Sequence, residues 1–351
     1  MDKKVDSILA WVTGRALTVI LHVPLAALLL ASPVPDNRAR LCEKCHPNES
    51  RAQPTTPMAH AASRAVDADI LKAHPVMRLT RGRFTYVIRQ ESGRVTYSVS
   101  DGAKTFSAPV LWAFGFGAMG QTYVYEYRGA LCESQVSFYS ALNGLDLTIG
   151  HRYSASAQLA DAAGRPIQKL ELGRCFGCHT TGNSDAAIPG IACEHCHKNA
   201  EQHARALADH TVPPVTPDKL SGLNVQQQSD FCGACHRTWQ EVTANGPHDI
   251  NNIRFQPYRL ATSKCYNASL NDKRIGCVAC HDPHQNVVKS ADYYDSKCAA
   301  CHEAGKTSKA CPVAQHACVS CHMPKIDFPN GHFRFTDHRI RIVRTGSGYP
   351  G

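Results

Sequence analysis

Between residues 84 and 139 apolar and polar positions alternate with a period of two, the spacing of strands that bury one face. Residues 84–88 and 94–99, joined through Glu91, Ser92 and Gly93, predict a hairpin with Val95, Tyr97 and Val99 on one side. Residues 121–127 and 133–139 predict a second, turning at Arg128, Gly129 and Ala130, with Tyr123, Tyr125 and Tyr127 at alternate positions. Gly115, Gly117 and Gly120 reproduce the letters of a dinucleotide-binding fingerprint, but strand-like rather than helical residues follow, so they read as a loop. From Arg174 onward the period is lost. Pro- and Gly-bearing connectors such as Val212, Pro213 and Pro214 leave room only for short helices, and no fixed-length repeat appears.

The N-terminus has a different pattern. Lys3, Lys4 and Arg15 precede a largely apolar run of about 16 residues (16–31), then Ser32, Pro33, Val34 and Pro35. This is the order of an export signal, somewhat short of the roughly 20 residues that span a bilayer. The chain thus divides into an export signal or N-terminal anchor (1–34), a first cysteine-bearing segment (35–76), a β-rich insert (77–151) and a long cysteine-rich segment (165–345).

Composition changes the picture through its 17 cysteines. Fourteen form seven Cys-x-x-Cys pairs, each followed directly by histidine: Cys42, Cys45 and His46; Cys175, Cys178 and His179; Cys193, Cys196 and His197; Cys232, Cys235 and His236; Cys277, Cys280 and His281; Cys298, Cys301 and His302; and Cys318, Cys321 and His322. With 19 histidines in 351 residues, seven such placements by accident have a probability on the order of one in a billion. Cysteines three apart put both sulfurs on one turn, where they form thioethers to two haem vinyl groups, and the adjacent imidazole reaches the iron. Zinc ribbons, disulfide scaffolds and thioredoxin-like centres need no histidine after every pair. The motifs therefore imply seven covalently attached haem c groups in an exported protein. The expected fold is mainly α with extensive irregular loops packed around haem, carrying a small antiparallel β-rich insert between the first motif and the other six.

The second axial ligand decides between electron transfer and substrate binding. Seven histidines are proximal and His22 lies in the export segment, which leaves His60, His74, His151, His195, His203, His210, His248, His284, His316, His332 and His338. His284 stands two residues past His281, beyond a turn-forming Pro283. His203 lies six past His197, His60 fourteen past His46, and His332 and His338 flank an apolar Phe-Arg-Phe segment. These five are the distal candidates, with His151 and His248 behind them. Met58 and Met323 lie near motifs, Met323 as packing. Cys132, Cys265 and Cys311 belong to no motif and are either three thiols or one disulfide and one thiol. The formal charge of +9 is offset by haem propionates, to roughly +2 oxidised and about −5 reduced, and no basic run points to nucleic acid.

On these residues the chain resembles the cytochrome c-552/4 domain family: Cys42 to His46 with Thr56, Pro57, Met58, Ala59 and His60; Cys193 to His197 with His203; Cys280, His281, Asp282, Pro283 and His284; and Cys318 to Pro324 with Phe335, Thr336, Asp337 and His338. The resemblance implies closely stacked, mostly bis-histidine haems in the periplasm, with His60, His203, His284 and His338 as distal ligands. Lys198, Asn199 and Ala200 replace the small linker usual before the distal histidine, and no Cys-x-x-Cys-Lys motif of the pentahaem nitrite reductases occurs. The expected role is a relay between a membrane quinol-side donor and a periplasmic or extracellular redox acceptor, without catalytic residues. The alternatives are an oxidoreductase of small nitrogen or sulfur oxyanions, with a pocket at the first haem walled by Tyr123, Tyr125 and Arg128, and a filament unit docking through the insert.

Overall fold

The computed structural model describes residues 42–152, 158–182, 187–212, 219–268, 272–302 and 311–344, with Gly346 and Tyr349. The expected export segment lies outside them. Among the described residues no helix is long and apolar enough to cross a membrane.

The expectation of a mainly α protein with a small β insert is wrong. A nine-stranded antiparallel sheet dominates the first half: β1 (Ala62–Arg64), β2 (Val76–Arg81), β3 (Phe84–Glu91), β4 (Arg94–Ser100), β5 (Thr105–Gly117), β6 (Gly120–Tyr127), β7 (Ala130–Tyr139), β8 (Gly144–Leu147) and β9 (Gly164–Pro166). Strands β2 to β8 pair in sequence order, β1 adds to β5 and β9 to β7. The ladder curls into a nearly closed barrel, with Arg81 of β2 at 3.9 Å from Asp146 of β8. Closure is the physical reason the sheet is large, because seven strands bent round on themselves bury a complete core, whereas two isolated hairpins could not. In the second half the longest helices, Val225–His236 and Ala291–His302, have 12 residues each.

Both sequence-read hairpins are present. Ser92 and Gly93 take φ of 50° and 70°, as do Arg128 and Gly129 at 53° and 76°, the left-handed pairs that match the twist of two-residue turns. Gly115, Gly117 and Gly120 lie in the bulged β5–β6 hairpin with φ between 81° and 98°, a strand reversal with no following helix.

The barrel interior is filled by alternate residues: Phe84, Tyr86 and Ile88 of β3, Tyr97 and Val99 of β4, and Tyr123 and Tyr125 of β6, joined by Leu71, Ala162 and Ala163 from flanking helices. Burying a side chain the size of Phe84 or Ile88 contributes roughly 1.5–3 kcal/mol. The Tyr97 hydroxyl donates to Ala163 O at 2.9 Å. Strands β5 and β6 are also buried on their outer face, where Trp112, Phe114 and Val124 pack against Phe176 of the helix Lys169–His179, which carries the second motif. An ionic latch backs this contact. Glu133 of β7 meets Arg165 of β9 at 2.7 Å, and Arg165 donates to Glu171 of that helix at 2.8 Å, which holds the Glu171 carboxyl below its ordinary range.

The C-terminal segment folds back as a hairpin of β12 (Lys325–Asp327) and β13 (Arg334–Thr336); two other short strands, β10 (Thr180–Thr181) and β11 (Ile188–Pro189), pair between the second and third motifs. The C-terminal hairpin places Phe328 and Phe335 on Ile253, and the fully buried Arg259 binds the fully buried Asp337 through two hydrogen bonds of 2.9 and 3.0 Å.

Candidate functional site

Each motif in the cysteine-rich half ends a helix or forms one: Lys169–His179, Cys193–Cys196, Val225–His236, Cys277–Cys280, Ala291–His302 and Cys318–His322. A helical turn is what the spacing requires. The carbonyl of the first cysteine accepts from the amide of the histidine at 2.8 Å in the first and third motifs and 3.0 Å in the fifth, which sets both sulfurs and the imidazole on one turn.

The motifs converge on one cavity of about 3560 Å³. Both cysteines and the histidine of the first six motifs lie on its wall, and the seventh contributes Val319 and Ser320. A single small-molecule pocket measures roughly 300–1,000 Å³, so this space suits several large groups. Neighbouring motifs meet through their thiols, Cys42 touching Cys193, Cys178 touching Cys235, Cys232 touching Cys277, and Cys298 touching Cys318. Cys196 lies near Cys232 and Cys235, and Cys280 near Cys298. The series runs first, third, fourth, fifth, sixth, seventh, with the second motif as a branch at the fourth. The Asp295 carboxylate holds the last step by accepting from Ala317 N at 2.6 Å and Cys318 N at 2.8 Å.

Sequence-distant imidazoles are brought together. His197 and His284 have ring centroids 5.9 Å apart with planes at 6°, and His281 and His338 are 6.2 Å apart at 38°. His179 donates from Nδ1 to Ala61 O at 2.8 Å, His322 to Arg341 O at 2.9 Å and His338 to Thr336 O at 3.0 Å. Such bonds select the tautomer whose Nε2 carries the free lone pair. Burial disfavours the charged form and lowers the pKa of His179, His236 and His281, and takes that of His338 down to about 4, so these rings are neutral near pH 7. His203, on the helix Ala200–Ala208, lines the cavity with a buried Nδ1 that has no hydrogen-bond partner.

The other sequence candidates are placed differently. His60 is exposed and lies against Phe116, with centroids 5.3 Å apart. His332 lines the cavity, but its Nε2 meets Asp146 at 2.8 Å. Both ring nitrogens of His151 are engaged, by Gln135 at 3.0 Å and Glu133 at 2.8 Å. His248 is exposed and off the cavity wall, whereas His195 and His210 lie on it with no local pattern to mark them. Tyr123 and Tyr125 sit in the barrel core and Arg128 lies over Tyr127 at a turn, so none of them walls a pocket at the first motif. Among the described residues no group of three or more His, Cys, Asp or Glu is arranged to hold a metal ion, and Cys132, Cys265 and Cys311 are unpaired thiols.

The first motif is seated on the lead-in to the third. Ile191 N donates to Met58 O at 3.0 Å, Gln53 Nε2 donates to Ile191 O at 2.6 Å, and Gly190, at φ 74°, lies so close that a Cβ would stand 1.7 Å from Ala59 O. Gly190→Ala is therefore expected to destabilise the protein by about 1–3 kcal/mol through left-handed strain and lost contact. A thermal melt followed by circular dichroism checks this, and an unchanged midpoint would refute it.

No known family model matches the chain, so the likeness to the cytochrome c-552/4 family remains one of motifs. The chain is 26% identical over 150 residues to the multiheme cytochrome MtrA of Shewanella baltica (strain OS185), an alignment covering 40% of this chain and 38% of that protein. It thus spans well under half the length of that relative. The crystal structure of the outer cell wall cytochrome OcwA is similar with a TM-score of 0.46 at 12% identity, covering 87% of this chain and 79% of that one.

Proposed function

We propose that this chain is an exported multihaem c-type cytochrome that binds seven haem c groups and relays electrons between redox protein partners on the outer side of a membrane. The observation that carries the reading is the single cavity walled by six Cys-x-x-Cys-His motifs, with paired imidazoles inside it. Two imidazoles bound at about 2 Å on opposite sides of one iron have centroids on the order of 6 Å apart, which both pairs match. The likeness to MtrA supports the same reading.

Haem iron, when bound, supplies one-electron chemistry over a wide range of potentials. The chain's own residues do the rest. The cysteine pairs tether each group and set its orientation, and His46, His179, His197, His236, His281, His302 and His322 are the proximal ligands. His284 and His338, whose rings face His197 and His281, would supply the second imidazole to the groups those residues hold. His203, which lines the cavity, would be a third. Carbonyl acceptors hold His179, His322 and His338 in the ligating tautomer, and burial keeps the rings neutral. Contacts between neighbouring motifs keep successive groups close enough for direct electron transfer, with no acid–base pair required.

Intact-mass and electron paramagnetic resonance measurements on the exported protein test the proposal. Seven haem additions and a predominantly low-spin spectrum are expected. His284→Ala and His338→Ala should each convert one haem to high spin, while His248→Ala should convert none. Absence of covalent haem, or unchanged spectra in both ligand variants, would overturn the assignment.

A further inference from the structure

None of the nine barrel strands carries a Cys-x-x-Cys-His motif, yet the barrel wall touches one motif imidazole directly. The Ala61 carbonyl, at the start of β1, accepts from Gly115 N of β5 at 2.7 Å and from His179 Nδ1 at 2.8 Å. Strand pairing fixes this acceptor, because β1 and β5 are in register with Ala62 opposite Phe114. Phe114 then stands edge-on to the same imidazole, with centroids 5.5 Å apart and planes at 81°. The contact is braced from behind. Phe176, one helical turn before His179, meets Phe114 at 5.4 Å and 84° and Trp112 at 5.0 Å and 88°. The Arg64 guanidinium of β1 lies 3.9 Å from the centre of the Trp112 ring, and Phe114, Trp112 and Phe176 are all buried.

The two contacts constrain the ring in different ways. A single hydrogen bond selects the tautomer but lets an imidazole pivot about the bonded atom, and an edge-to-face aromatic contact removes that pivot. Both come from the paired strands β1 and β5, while the cavity lies open to another side of His179. We propose that Phe114 is a positioning residue for His179, fixing with the Ala61 carbonyl the plane of that imidazole, so that the barrel clamps the axial ligand of the second haem and of no other. The proposal rests on the multihaem reading for one point, that His179 ligates iron. The plane of an axial imidazole and the bond made by its other nitrogen set how the ligand perturbs the iron orbitals, and a low-spin spectrum reports this. Because the second motif is a branch of the series, a clamp there acts on one haem and leaves the remaining order of contacts intact.

The experiment is electron paramagnetic resonance of the oxidised holoprotein, with intact mass and a thermal melt to confirm the haem content and folding of each variant. Cys175→Ala with Cys178→Ala first identifies the signal of the second haem by difference from the wild type. Phe114→Ala should lose that signal at its wild-type position and return it shifted or broadened, with every other signal unchanged. Should Phe114→Ala fail to fold or to take up haem, Phe114→Leu, which keeps apolar volume without a flat edge, carries the same expectation. Ile88→Val, a core substitution on β3, should lower the melting midpoint and leave all signals in place. Full haem content with the second signal unmoved in Phe114→Leu would overturn the role of Phe114. So would the same shift in Ile88→Val, because barrel stability in general would then set the signal. Absence of haem from the wild type would instead overturn the proposed function.

Discussion

Replacing Asp337 with alanine should cost about 3–5 kcal/mol of stability and convert one haem to high spin. Asp337 and Arg259 are both fully buried and doubly hydrogen bonded, at 2.9 and 3.0 Å. Arg341 donates to the same carboxylate, and the Arg339 amide donates to it at 3.0 Å. Removing the carboxylate strips a buried guanidinium of its charged partner and leaves the Asn252 side chain at 3.4 Å and the Tyr349 ring at 4.6 Å among its neighbours. The damage extends to His338, the next residue, whose ring lies opposite His281. Asp337→Asn keeps the shape but loses the charge and should fall between.

The pair also has a signature in pH. Burial pushes the Asp337 carboxyl up, but hydrogen bonds and the Arg259 charge outweigh it and hold the group below its ordinary 3.8. A carboxyl lowered on folding contributes fully at neutral pH. That contribution is lost as the pH falls below about 3.8 toward the lower folded value. Melts between pH 7 and pH 3 should therefore converge for wild type and Asp337→Asn at the acid end. Parallel curves would show that the ion pair does not carry the difference.

The second large effect is expected at the fourth motif. Cys232→Ala with Cys235→Ala removes the haem whose attachment cysteines lie nearest the second, third and fifth motifs, through Cys178, Cys196 and Cys277. The mass should fall by one haem. Reduction by a rapid small-molecule donor, followed by stopped flow, should change from one concerted phase to a fast phase and a much slower one, because the two arms of the series no longer meet. Removing the second haem by Cys175→Ala with Cys178→Ala takes away only a branch and should leave the main phase intact. If the two variants behave alike, the branched order read from the thiol contacts is wrong.

How far the sequence could be read differs from element to element. Residues 84–100 show their hairpin because strand alternation and a Ser-Gly turn are local properties, and both are present in the structure. The size of the sheet was hidden for a physical reason. Strand β5 is buried on both faces, Val110 and Ala113 toward the barrel core and Trp112 and Phe114 toward Phe176, so its alternation is erased by a contact more than 60 residues away. Strands β1 and β9 are three residues each and exist only because β5 and β7 offer free edges.

The same division runs through the site. The seven Cys-x-x-Cys-His motifs lie within five residues each, so the proposed attachment cysteines and proximal imidazoles are legible in the sequence alone. Which histidines meet is a long-range matter. His332 and His338 look equivalent on either side of Phe333 and Phe335, yet His332 is turned to Asp146, 186 residues away, while His338 faces His281. His151 is engaged by two side chains of β7 that no spacing rule connects to it. Covalent attachment needs only neighbours in the chain. Which imidazoles face each other and the order in which the motifs meet need neighbours in space, and those were decided by the packing of the barrel, the motif helices and the C-terminal hairpin.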